Sequence, residues 1–354
     1  ARGANLSIGN TTLDGRPVGV AMEAPTTAFL NTDDLTPGKA VTVAMSFSLT
    51  LPGLADDRLS RSGNTVRLGS WLPTLSWEPG YAWTLDPPTT NDAEASTSIA
   101  ADYDVLFAVP AGLTVLASGE EVEPGRWKAT AMPDWGATVG TFTIVRGMAG
   151  SVPVIVGVET SVGESPTTYL NRVIGSLQAL AARYGPYPYP NYSLAITPGL
   201  RGGIEYPGHV MQGPGSNART TPHEVAHMWF YSLVGSNQGR DPWLDEGLSS
   251  WAEAVINGSY RSFVTRPIPS DGRNRIGEPM TFWDQHSASY YRSVYVQTVQ
   301  ALAATGASIA AIDCALARYV AAHAYRVANP ADLVRALETV APNARDVLAR
   351  YGVR

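Results

Sequence analysis

The stretch His223-Glu224-Val225-Ala226-His227 is followed, after eighteen intervening residues, by Glu246 in Trp243-Leu244-Asp245-Glu246-Gly247. On a helix, residues four apart lie one turn apart on nearly the same face, so two imidazoles there can grip one ion. Glu224 falls beside that face, where a carboxylate can reach an activated water without being a ligand itself. Asp241-Pro242 predicts an N-cap with proline at the first helical position, which puts Glu246 in the second turn of a new helix. Two histidines and a glutamate, with a fourth position left open, form the ligand set of a catalytic rather than a structural zinc site. The pattern therefore predicts one zinc ion held by His223, His227 and Glu246.

Histidine is scarce, which strengthens this reading. The chain has five, none within its first 208 residues, and two of them fall in this motif. His209, His286 and His323 match no ligand pattern and read as surface or satisfied core residues. Asp245 and Glu253, which lies seven residues after Glu246 on the same face, are candidates to orient the ligands, though solvated helix charges would look the same. Thr221 with Glu224 also permits a capping box, a rival use for Glu224.

At 354 residues with 44% apolar and 16% charged content, the chain suits two domains with sizeable cores. No run approaches eighteen apolar residues, so no membrane span is expected. A net charge of −6 without a basic run argues against nucleic acid as a partner. Cys314 is the single cysteine, which excludes an internal disulfide and a paired-cysteine metal site. The chain opens at Ala1 rather than methionine, which is consistent with the removal of a leader, anchor or targeting signal. Oligomeric state, side-chain preference and natural substrate are not readable from the sequence.

The first part reads as β. Val41, Val43, Met45, Phe47, Leu49 and Leu51 alternate with small or polar residues, and Tyr103, Val105, Phe107 and Val109 repeat the pattern. Phe142 with Ile144, and the run from Val154 to Val158, suggest further strands. Strands recurring without helices predict an antiparallel saddle or sandwich over residues 1–163. The period then changes. Ser165-Pro166 opens a helix carrying Leu170, Val173, Ile174, Leu177, Leu180 and Tyr184, which Gly185-Pro186 stops. A short strand at Ser193–Ile196 leads to Arg201-Gly202-Gly203-Ile204-Glu205-Tyr206-Pro207. Helices are expected at Tyr290–Ala304, Ile309–Ala322 and Pro330–Val340, with a long loop over 258–285 near the site.

The run from His223 through Trp229-Phe230-Tyr231, Leu233-Val234-Gly235 and Asp241 to Glu253 resembles the aminopeptidase N family of gluzincin metallopeptidases. Gly202-Gly203-Ile204-Glu205-Tyr206 resembles that family's Gly-x-Met-Glu-Asn exopeptidase motif, with Tyr206 in place of asparagine and Ile204 in place of methionine. Val294-Tyr295-Val296-Gln297 resembles the segment that opens the helix of its catalytic tyrosine, although Gln297-Thr298-Val299 stands where Lys-Gly-Ala is usual. No counterpart of the family's first-domain glutamine is evident. The resemblance implies a β saddle followed by a thermolysin-like, mainly helical α+β catalytic domain over 164–354, without a helical C-terminal domain, and, as for relatives of this short type, a location at the cell envelope or exterior, with the cytoplasm as the alternative.

It also implies roles. Glu224 would be the general base, Tyr295 would donate a hydrogen bond to the oxyanion, and Glu205 would bind the free α-ammonium of a peptide substrate. Tyr291, one turn before Tyr295, is the alternate for the tyrosine. The Gly202-Gly203 pair lets a substrate backbone approach the strand edge. A zinc ion of charge +2 with Glu246, Glu224 and Glu205 ionised leaves the site at about −1, which favours a cationic N-terminus. The expected activity is a zinc aminopeptidase acting on peptides with a free N-terminus. A metalloendopeptidase and a zinc-stabilised peptide-binding module without turnover are the alternatives.

Overall fold

A computed structural model describes residues 3–32, 35–90, 97–216 and 218–354 of the chain. The alternating stretch near Val41 forms the strand Val43–Thr50, with Met45, Phe47 and Leu49 half-buried and Ser46, Ser48 and Thr50 exposed between them. It pairs antiparallel with Asn5–Leu13. The second alternating stretch forms Ala101–Leu106, the edge of an antiparallel sheet whose middle strand is Arg126–Met132. A four-stranded antiparallel sheet, Thr114–Ala117, Ala137–Gly140, Thr65–Leu68 and Leu59–Ser62 in spatial order, completes this β half. The aromatic side chains tie the pieces together: the Trp71 ring lies 6.2 Å from Phe47, 6.1 Å from Phe107 and 6.2 Å from Trp135, centroid to centroid. Such tilted pairs add roughly 0.5–1.5 kcal/mol each beyond the burial of their area.

A boundary at Gly163 falls among the strands of one sheet. Phe142–Ala149 and Val152–Glu159 join Tyr192–Ile196, His209–Gln212 and Gly203–Tyr206, in that spatial order. The pairing of Val152–Glu159 with Tyr192–Ile196 is parallel, and helix α1 (Pro166–Tyr184) is the crossover such a pair requires. Leu170, Val173, Leu177, Leu180 and Tyr184 of α1 are buried, each worth roughly 1.5–3 kcal/mol of transfer free energy. The two upstream strands therefore belong to the sheet of the helical half. Its far edge is Gly203–Tyr206, the strand that carries the glycine pair and Glu205.

Tyr206 has a physical reason to be large. Side chains alternate along a strand, so Ile204 and Tyr206 face away from Glu205 and pack with Leu200 and Met211. The Tyr206 ring is fully buried in a seat made by two glycines of the β half. A Cβ on Gly136 would lie 2.5 Å from its Cγ, and one on Gly69 would lie 1.9 Å from its hydroxyl.

Helices α2 (Thr220–Ala226), α3 (Glu246–Ile256) and α4 (Tyr260–Thr265) follow. The 258–285 stretch, expected to be a loop, contains α4 and α5 (Met280–Trp283), and Phe263, Ile276, Met280 and Trp283 anchor it in the core. These anchors are too widely spaced to show a period. The helix expected at Tyr290–Ala304 is three segments: α6 (Ser287–Tyr291), a π-helical turn at Arg292–Val296, and α7 (Gln297–Ala304). Then come α8 (Ile309–His323) and α9 (Pro330–Glu338), the latter with a full capping box between Asn329 and Asp332, and α10 (Ala344–Arg350). Among the described residues no single helix is long and apolar enough to cross a membrane.

The glycine seat of Tyr206 can be tested by stability. Gly136→Ala should destabilise the protein by about 1–3 kcal/mol through overpacking. Gly175→Ala, on the exposed face of α1 with open space around it, should stabilise it by up to ~1 kcal/mol. Chemical denaturation of both variants checks the opposite signs; equal midpoints would contradict the seat.

Candidate active site

α2 presents His223 and Glu224, and His227 follows as its C-terminal cap residue. Pro222 lies in the first turn, where its missing N–H forfeits no intrahelical bond. The capping box between Thr221 and Glu224 does not form, because the Thr221 hydroxyl donates to Gln212 Oε1 at 3.2 Å. Glu246 arrives by a different route from that expected. Pro242–Leu244 is a 3₁₀ turn, Asp241 makes no side-chain cap, and α3 begins at Glu246 itself. Glu246 is thus the first residue of its helix rather than a member of the second turn.

The structure brings the three expected ligands together. His223 Nε2 lies 2.9 Å from Glu246 Oε2 and His227 Nε2 lies 3.5 Å from it, with the two imidazole centroids 4.8 Å apart. All three side chains are buried, and His227 Nε2 has no hydrogen-bond partner although no part of that residue is exposed. A buried imidazole nitrogen without a hydrogen-bond partner is what a metal ion satisfies, the ring giving up to it the proton that the surrounding carboxylates otherwise favour. One donor atom from each of His223, His227 and Glu246 lies within 4.8 Å of the others, a group able to hold an ion.

The outer nitrogens face carboxylates. His227 Nδ1 is 2.5 Å from Asp245 Oδ1 and 3.1 Å from the Ser249 hydroxyl, and Gln238 Nε2 donates to Asp245 Oδ2 at 2.5 Å. His223 Nδ1 is 3.4 Å from Glu253 Oε2, long for a hydrogen bond, while Arg219 Nε donates to Glu253 Oε1 at 2.5 Å. Asp245 and Glu253 therefore turn inward rather than to solvent. Arg219, Gln238 and Ser249 are partners that motif reading missed. Only Arg219, a cation four residues before His223, carried a positional signal.

The electrostatics ask for a cation. Burial works against a charged His223, yet the carboxylates of Glu246 and Glu253 hold its imidazolium up to about 10. His227 is likewise held well above its ordinary value against burial, by Glu205, Asp245 and Glu246. Burial opposes ionisation of Glu246, but the two imidazoles keep its carboxyl well below the usual range. Burial pushes Glu224 up to about 7, with the histidines pulling the other way.

Glu224 is placed by a glycine. A Cβ on Gly203 would lie 2.4 Å from Glu224 Cδ, so any larger residue there would have to push the Glu224 carboxylate aside. A Cβ on Gly202 would meet nothing within 4 Å, which leaves the approach to the strand open. Glu205 is buried and points to the same face as Gly203; it forms a second close group with His227 and Asp245, donor atoms again within 4.8 Å. Tyr295 sits in the π-helical turn with its ring stacked on His223, centroids 5.5 Å apart at an interplanar angle of 15°. Tyr291 is 43% exposed, and its hydroxyl lies 3.4 Å from Arg219 Nη2, away from the paired ligands.

The Gln297-Thr298-Val299 departure is structural. Gln297 accepts from the Asn274 N–H at 2.7 Å and donates to the carbonyls of Gly272 and Ser293 at 3.0 and 3.2 Å, tying the 271–274 loop to the π-helical turn. Thr298 fills the space beside Gly247, where a Cβ would lie 2.5 Å from its hydroxyl. The remaining histidines lie apart from the site. His209 is fully buried between the hydroxyls of Ser193 and Thr138, and burial pushes it down to about 3. His286 stacks on Phe282 and His323 lies 4.0 Å from Asp332.

No protein-family profile matches the sequence. Comparison with solved structures identifies the fold as that of two-domain M1 zinc metallopeptidases. An M1 zinc metallopeptidase from Deinococcus radiodurans shares 18% identity at a TM-score of 0.68, over 98% of this chain and 84% of that one. A glutamate-to-alanine mutant from the same organism, bound to a Tyr-Ser-Ala substrate, superposes with a TM-score of 0.69 at 19% identity, over 98% and 84% of the two chains. A two-domain mutant bound to L-arginine gives 0.68 at 19% identity, over 99% and 84%.

Removing the metal gives the direct test of the ligand group. Purified protein should carry one zinc per chain, and a chelator should lower its unfolding temperature, since a ligand at about 100 times its Kd contributes roughly 2.7 kcal/mol. Glu246→Ala should lose the zinc and respond no further to chelator. A chelator-sensitive midpoint retained in that variant would place the ion elsewhere.

Proposed function

We propose that this protein is a zinc-dependent aminopeptidase that hydrolyses N-terminal residues from peptides. The observation that carries the reading is the cluster of His223 Nε2, His227 Nε2 and Glu246 Oε2, with Glu224 held beside it by Gly203 and Glu205 on the adjoining strand edge. When bound, zinc supplies a Lewis acid that activates a water and polarises the scissile carbonyl. His223, His227 and Glu246 would hold it. The donor set fits, since three protein ligands leave a position open, and the orphaned His227 Nε2 finds its partner.

The chain's own groups do the rest. A peptide lies along the open edge at Gly202-Gly203, pairing with backbone. Glu205 receives its α-ammonium group; a free N-terminus brings positive charge to a site rich in buried carboxylates. Glu224 takes the proton of the attacking water and returns it to the leaving amine, and its carboxyl at about 7 suits a group that must both accept and give a proton near neutrality. Tyr295 donates a hydrogen bond to the oxygen on which negative charge develops. Its stacking on His223 favours it over Tyr291, whose hydroxyl faces Arg219. That a related fold has been seen with Tyr-Ser-Ala and with single amino acids supports peptides as the substrate class.

Free and N-acetylated aminoacyl substrates decide between exo- and endopeptidase. The free amine should be cleaved and the acetylated one spared; equal rates on both would make the enzyme an endopeptidase. Glu224→Gln should lower kcat by about 10²–10⁴-fold while zinc is retained, and unchanged turnover would refute its role as base.

Gly203→Ala should lower kcat by about 10²-fold, because its new methyl group displaces the Glu224 carboxylate. Tyr295→Phe should cost about 10²–10³-fold in kcat and Tyr291→Phe little. Reversed effects of the two tyrosine variants would transfer the oxyanion role to Tyr291.

A further inference from the structure

We infer that Asp245, itself fixed by Gln238, is the positioning residue that holds the metal-binding imidazole of His227, and that Glu253 does not do the equivalent for His223. This rests on the zinc reading of the His223, His227 and Glu246 cluster. The two arms look alike by sequence, each a histidine near an α3 or pre-α3 carboxylate, but their geometry differs. On the His227 arm both contacts of Asp245 are 2.5 Å long, one to His227 Nδ1 and one from Gln238 Nε2, and Asp245, His227 and Gln238 are 1%, 0% and 3% exposed. On the other arm Glu253 stands 3.4 Å from His223 Nδ1 and is drawn instead to Arg219 at 2.5 Å, a side chain 31% exposed.

The chemistry follows from these contacts. A carboxylate accepts only, so Asp245 fixes the proton of His227 on Nδ1 and leaves the lone pair of Nε2 aimed at Glu246 Oε2, the side from which the ion is gripped. Gln238 can only donate to that carboxylate, so the direction of its amide is set and Asp245 cannot turn. The Asp245 backbone ends the Pro242–Leu244 turn immediately before Glu246. One buried residue thus orients one ligand through its side chain and adjoins a second through the chain. His223 has no such lock and is the adjustable arm, its ring supported by the face of Tyr295.

The test measures metal binding rather than turnover. Zinc affinity is titrated against a chromophoric chelator for the wild-type full chain, Asp245→Asn, Asp245→Ala and Glu253→Gln, and the d–d absorption of the cobalt(II)-loaded proteins is recorded. Asp245→Asn keeps the shape but turns a donor on either Gln238 or His227, so it should fold even where the alanine variant does not; the thermal midpoint without metal checks this. The expected result is a loss of affinity of about 10- to 100-fold with a shifted cobalt spectrum for Asp245→Asn, and a loss of no more than about threefold for Glu253→Gln. An Asp245→Asn loss below about threefold, or a Glu253→Gln loss equal to or larger than it, overturns the inference. A wild-type chain that binds no zinc defeats the underlying reading as well, whereas the expected affinities without hydrolysis of any free peptide would defeat only the aminopeptidase reading.

Discussion

Buried negative charge is the constraint around which this molecule is organised. Glu205, Glu224, Asp245, Glu246 and Glu253 are all buried within one region, facing two imidazoles. An isolated carboxylate in an apolar interior costs several kcal/mol even after relaxation, and arginine relieves only Glu253 among the hydrogen bonds described above. Such a cluster persists where a cation shares it. That single requirement explains why the histidines lean strongly towards charge, why Glu246 stays ionised and why Glu224, off the ligand axis, does not follow it. In the aminopeptidase reading proposed above, the same field would also favour a substrate whose leading group is an ammonium.

Bringing those carboxylates together demands close approach of backbone, and glycine is where the sequence concedes it. Gly203 lets the edge strand meet Glu224, and Gly247 lets α3 meet Thr298. At the junction with the β half the logic is inverted: Gly69 and Gly136 yield space so that one large residue, Tyr206, can fill it. The β half is therefore more than an appendage. It buries the outer face of the strand whose inner face carries Glu205, and so helps to hold that carboxylate beside His227 and Asp245.

Much of this was legible in the residues, and the limits of legibility have physical causes. Helix α1 could be read to its final residue because Pro166 and Gly185 punctuate a clean 3.6 period, and α9 because Asn329 and Asp332 complete a cap. The pairing of His223 with His227 follows from helix geometry alone. The approach of Glu246 does not, since a 3₁₀ turn and an α-helical turn share the same proline signal and differ only in which carbonyl the next N–H finds. The π-helical turn around Tyr295 is invisible to period counting: it adds one residue within an apolar run that still looks helical. Sheet membership across residue 163 is a long-range pairing of Val154–Val158 with Tyr192–Ile196, and local pattern carries no register.

The π-helical turn also explains why Tyr295 and Tyr291 were inseparable by sequence yet occupy different places. In a regular helix residues four apart stack on one face, and both rings would have pointed at His223. The wider turn at Arg292–Val296 breaks that equivalence. It leaves Tyr295 parallel to the imidazole and sends the Tyr291 hydroxyl towards Arg219. Such turns interrupt the hydrogen-bond ladder and survive only where neighbouring contacts over-determine them. Here Gln297 provides those contacts, bonding Gly272, Ser293 and Asn274 at once. The side chain that departs from the Lys-Gly-Ala pattern is thus one that ties down the local geometry around Tyr295.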